Sequence, residues 1–120
     1  MNRFYIIIGV LALALLSASC AKSHQAENVV EAFVDANALH PEKMVTRDFA
    51  RFDSTKAIGD SLVLAMQARK HELYRHPISY ADSRAGRMLY LVRMNFVYEG
   101  DTLWQTFYLD EKLDHVVAFK

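Results

Sequence analysis

From Met88 to Tyr98 the even positions read Met88, Tyr90, Val92, Met94, Phe96 and Tyr98, while the odd ones include Arg93, Asn95 and then Glu99. This is the alternation of a strand with one buried face, because successive side chains point to opposite sides of a pleated backbone. Little freedom remains for the C-terminal third of the chain. Glu99-Gly100-Asp101 is a hairpin turn signal, and Thr102 to Leu109 is the return strand. Asp110-Glu111-Lys112 with Leu113-Asp114 then turns the chain again into His115 to Phe119. Ile78 to Ala81 supplies a further strand in this reading.

Upstream the apolar period lengthens to three and four. Val29, Val30, Phe33, Val34 and Ala36 put a stripe along a helix from Glu27 to Leu39, which stops at His40-Pro41 because the residue before proline is pushed out of helical geometry. Lys43 to Phe52 reads as a short helical segment with Met44, Val45, Phe49 and Phe52 turned inward. A longer helix, capped by Asp53 or Ser54, carries Ile58, Leu62, Ala65, Met66 and Leu73. Gly59 weakens its first turns by about 1 kcal/mol relative to Ala. Helices followed by an antiparallel meander make an α+β domain. The N-terminal helices are expected to pack across one face of a curved antiparallel sheet of three or four strands formed by the C-terminal half.

The first twenty residues concern address. Arg3 precedes an unbroken apolar run from Phe4 to Leu16, short for a membrane span and suited to the core of a secretory signal. Ser17-Ala18-Ser19 then supplies small residues ahead of Cys20, the only cysteine in the chain. The arrangement resembles the lipobox of bacterial lipoproteins, with Ser17 where leucine is usual and Leu16 one place further back. That resemblance implies cleavage before Cys20, acylation of its thiol and residence in the bacterial cell envelope. Ala21 stands where lipoproteins of the enterobacterial type retained at the inner membrane carry aspartate, which points to the outer membrane rather than the inner. An uncleaved anchor and an ordinary secreted product are the alternatives. Residues 1–19 are thus a lipoprotein signal peptide, 20–25 a lipidated tether spanning about 15 to 20 Å if extended, and 26–120 one small domain. With no second cysteine, that domain is held by packing alone.

The helix NVVEAFVDANAL, the helical segments after it and the strands of MLYLVRMNFVYEGDTLWQTFYLDEKLDHVVAFK look like the cone-shaped domains of the nuclear transport factor 2-like superfamily. A cystatin-like arrangement, one helix wrapped by a sheet, is the neighbouring form. The superfamily resemblance implies either an isomerase or dehydratase, or a non-catalytic binding or dimerising module; fold alone does not choose between them.

Charge and motifs narrow the field. Lys and Arg number 14 against 14 Asp and Glu, so no global field recruits nucleic acid. HELYRH, His71 to His76, has the wrong spacing for a zinc helix: residues five apart diverge around a helix, whereas ligands four apart share a face. Arg69, Lys70, Arg75, Arg84 and Arg87 form a basic stretch, and Glu99, Asp101, Asp110, Glu111 and Asp114 sit mostly at turns. The inward even positions from Met88 to Tyr98 contain no Asp, Glu or His to serve as a desolvated acid or base. Arg93, Asn95 and Gln105 are expected to form a polar cluster across neighbouring strands. Trp104 and Tyr108, opposite Phe107, form an amphipathic aromatic patch of the kind found at interfaces. His115 with Asp114 or Asp110 is the one acid–base pair in sequence proximity.

The expected protein is a membrane-anchored, non-catalytic binding or protein-interaction module. It reaches the membrane through lipidated Cys20 and a protein partner or second copy through the sheet. Its contact residues are Tyr98, Trp104, Tyr108 and Arg93, with no cofactor and no metal. A small isomerase or hydrolase using His115, and an inhibitor or accessory subunit of an envelope assembly, are the rival readings.

Overall fold

The computed structural model describes residues 2–80 and 88–120, with side chains from Cys20 onward. Helix α1 runs Asn2–Asn37, so the apolar run, Cys20 and the residues that follow it form one helix. Residues 21–25, read as an extended tether, are helical. Ala26, Val30, Val34 and Ala38 repeat every four residues and are buried, while Ala36 of the expected stripe is exposed. The Asn37 side-chain amide donates to the Phe33 carbonyl at 2.9 Å where α1 ends, and the chain straightens at His40 before Pro41 as expected.

The largest departure from the expected elements comes directly after this helix. Beyond a 3-10 turn at Pro41–Lys43, residues Val45–Thr55 form strand β1 rather than a helix. Two bulges explain the misleading period. Val45 pairs with Val97 and Asp48 with Asn95, then Ala50 with Arg93 and Asp53 with Leu91, so twice three residues of β1 span two of its neighbour. Thr46 and Arg51 take positive φ, 52° and 56°, one within each bulge. Each extra residue turns a period of two into three, placing Phe49 and Phe52 on the same buried side at a helix-like spacing. Arg47 anchors the first bulge by donating to the carbonyls of Met44 and Pro41, both at 2.9 Å, and pairing with Asp35 of α1 at 3.1 Å.

Helix α2 is shorter than expected, Asp60–Ala68, with Gly59 as an extended N-cap rather than an interior residue. Leu73 lies beyond it, in a segment that crosses back to α1. There Leu39 N–H donates to the Leu73 carbonyl and Arg75 N–H to the Asn37 carbonyl. Residues 78–80 are not a strand, and Ala81, Arg84 and Arg87 lie outside the described residues. Strands β2 Leu89–Tyr98, β3 Asp101–Leu109 and β4 Val116–Phe119 complete an antiparallel sheet in the order β1-β2-β3-β4. The α+β class stands. The β2–β3 turn is Glu99-Gly100, with φ of 50° and 86°, the double left-handed conformation that matches strand twist and for which glycine is suited.

Two cores lie on opposite faces of the sheet. One packs α1 on Val92, Met94 and Phe96 of β2 and Phe107 and Leu109 of β3. The other packs Val63 and Met66 of α2 on Leu89, Tyr108, Val117 and Ala118. The helices therefore do not share a face: α1 covers the inner side, formed by even residues of β2 and odd residues of β3, and α2 covers one end of the outer side. The Gln67 side chain secures α2 by donating to the Val117 carbonyl at 2.9 Å.

Phe107 is fully buried and stacked on Phe119 at 5.3 Å. Phe107→Ala should cost about 3 to 5 kcal/mol in urea unfolding, whereas Leu64→Ala, at a position 64% exposed, should stay within about 0.5 kcal/mol. His71 stacks on Phe119 at 4.0 Å with its Nε2 buried and, among the described residues, unpartnered. Burial, and then the charge of Arg69, lower its pKa. The folded state thus holds the neutral ring, and stability declines as pH falls through the ordinary imidazole range near about 6.5, where only the unfolded chain takes up the proton. His71→Phe keeps a stacking ring and should flatten that part of the stability–pH curve in denaturation measured from pH 5 to 8.

Candidate functional site on the outer sheet face

Among the described residues, α2 covers only one end of the outer face. Cross-strand rows define the face: Val45, Val97 and Thr102; Asp48, Asn95 and Trp104; Ala50, Arg93 and Thr106. Trp104 is 62% exposed in the regular part of β3. Its ring is covered by the Arg93 guanidinium, whose central carbon lies 4.8 Å from the ring centroid, a cation–π contact made diagonally between neighbouring strands. Beneath this pair, Arg93 Nε and Asn95 Oδ1 are buried with no hydrogen-bond partner among the described residues. One is a donor and the other an acceptor.

The contact residues expected from the sequence separate into three places. Trp104 and Arg93 are together, as the register of a hairpin demands. Tyr108 shares their face but is only 5% exposed because α2 lies over it. Tyr98 is half-buried on the opposite face against the main core. Gln105 does not join Arg93 and Asn95: it pairs with Met94 on the inner face and accepts a hydrogen bond from the Tyr74 hydroxyl at 2.6 Å. Tyr74 is buried, and burial pushes its phenol well above the usual range. Tyr80, stacked on Phe33 at 5.9 Å, is pushed up to about 12 by burial.

The inner side carries a second concavity. His115 and Asp114, with Gln25, Asn28, Phe33 and Ser79, line a cleft of about 440 Å³ between α1 and the β3–β4 turn. Asp110 orients His115, Nδ1 to Oδ2 at 3.2 Å. The same carboxylate also accepts the Asp114 amide at 2.8 Å and the His115 amide at 3.2 Å, so it is a turn cap first. His115 is 63% exposed. His71 and His76 of HELYRH lie after the end of α2, the first half-buried against Phe119 and the second exposed. Cys20 is exposed on α1.

A double-mutant cycle on Arg93→Ala and Trp104→Ala should return a coupling of about 0.5 to 1 kcal/mol in urea unfolding, the range of an exposed cation–π pair; a value near zero would mean that the two side chains do not hold each other. No family model, curated protein or solved structure matches this chain.

Proposed function

We propose that this chain is a lipid-anchored, non-catalytic binding module of the bacterial cell envelope that presents its outer sheet face to a partner. The observation that carries the binding part is Trp104: a large aromatic kept 62% exposed beneath the Arg93 guanidinium in the regular part of a strand. Trp and Arg are among the residues most enriched at interaction centres. The anchoring part is supported by the order of charge, apolar run, small residues and Cys20. It is also supported by geometry. Gln25 of α1 donates to the Leu113 carbonyl at 3.1 Å, fixing the helix against the β3–β4 turn. At 1.5 Å rise per residue, Cys20 lies about 8 Å further along the axis. An acyl group there holds the body on a short helical stalk at the membrane, on the outer membrane by the identity of Ala21. The order helix, strand, helix and three-stranded meander supports a cone-shaped or cystatin-like body.

The oriented pair of His115 and Asp110 beside the inner cleft favours the rival isomerase or hydrolase reading. It is the weaker one. An imidazole so exposed lacks the water-excluded setting in which acid–base groups are tuned, and Asp110 is engaged by two backbone amides.

Intact-mass analysis of the native product should show a chain beginning at Cys20 with acyl additions, and Cys20→Ala should move the protein to the soluble fraction; an unmodified thiol or an intact leader would remove the anchor. A photo-crosslinking residue at position 104 should give discrete adducts in cells, while the same residue at the equally exposed position 64 should not. Identical patterns at the two positions would remove the binding face.

A further inference from the structure

Where α2 meets the outer face, Leu62, Ala65, Met66 and Arg69 of the helix and its end stand with Tyr108 and Lys120 around a cleft of about 260 Å³. Met66 and Tyr108 form a buried apolar floor, and Leu62 remains 48% exposed at its edge. Arg69 and Lys120 flank it, and no acidic side chain is among the described lining residues. Lys120 is held in place. Its amide donates to the Thr106 carbonyl at 3.0 Å and its carbonyl accepts from the Thr106 amide at 2.9 Å, so it stands directly opposite Thr106, on the row that also carries Arg93. Lys120 and Arg93 are therefore two strand spacings apart, about 10 Å, one on each side of Thr106. On the outer face Thr106 separates Tyr108 from Trp104, with Arg93 and Lys120 on either side of it.

We propose that this cleft binds a single-chain anionic amphiphile, an aliphatic tail beneath a carboxylate or phosphate head. The tail lies on Leu62, Ala65, Met66 and Tyr108, and the head is held by Arg69 and Lys120. An apolar floor alone would accept any tail; the paired cations select the anionic head, since a neutral one gains nothing from them. The volume suits one chain and excludes a folded partner. This site deepens the reading of the outer face as the working surface and assigns it a ligand class. It rests on that reading, and its failure is distinguishable from the failure of the face itself, which is read from crosslinking at position 104.

The test uses the full chain with carbon-13 methionine methyls in nanodiscs of zwitterionic phosphatidylcholine. Octanoate and octyl phosphate should each move the Met66 methyl saturably while Met44 and Met94, in the core on the other face, stay in place; the ratio of the two affinities tells which head the site prefers. Octyl glucoside and inorganic phosphate should leave Met66 unmoved, and the double variant Arg69→Gln/Lys120→Gln should bind octanoate about tenfold or more weakly. Unchanged Met44 and Met94 signals in that variant show that it is folded; if they change, Lys120→Gln alone is read instead. The proposal is overturned if Met66 does not respond, if octyl glucoside or inorganic phosphate acts as strongly, if all three methyls move together, or if removing the charges leaves affinity unchanged.

Discussion

Phe33 of α1 meets four rings drawn from three other parts of the chain: Tyr74 at 6.4 Å, Tyr80 at 5.9 Å, Phe107 at 6.1 Å and Phe119 at 5.5 Å. Its edge-to-face approach to Phe107 and Phe119 is the favoured geometry for aromatic quadrupoles. Those two strand residues are directly paired and stacked on each other. Helix, crossing segment and the last two strands are thus joined at one point without any disulfide. The alignment of α1, and with it the distance of Cys20 from the sheet, depends on this cluster more than on the helix's own propensity.

The meander was legible because its period is unbroken. Strands β2, β3 and β4 begin and end within a residue or so of where alternation and turn chemistry place them. Strand β1 was not, since each bulge hides one residue and converts alternation into a spacing of three. Helix α2 is shorter than its spacing suggests for a related reason: β1 extends through Thr55, Gly59 caps the helix, and Leu73 belongs to a different segment that happens to continue the spacing. Those are tertiary facts. A chain with marginal local preference takes the form its neighbours complete.

The candidate site was readable in part. Trp104 and Arg93 lie on one face for reasons contained in the hairpin itself. The inward position of Gln105 is contained in the hairpin too, because a two-residue turn pairs even positions of β2 with odd positions of β3 and sets Gln105 beside Met94. The burial of Tyr108 is not contained in it. It depends on α2 crossing to the outer side, and nothing in the spacing of Val63 and Met66 says which side of a sheet they will meet. The cleft between Tyr108, Arg69 and Lys120 was invisible on the same ground, since its walls come from elements far apart in sequence.

The two rims of the sheet are closed in different ways. On β1, paired bulges and the exposed charges of Asp48, Arg51 and Asp53 interrupt the margin; on β4, Gln67 occupies the Val117 carbonyl. Such margins discourage strand addition, the commonest route by which extended peptides and amyloid-like neighbours attach to β-proteins. Among the described residues the sheet thus presents side chains more readily than free backbone, and shape and charge weigh more than main-chain pairing in what can attach to it.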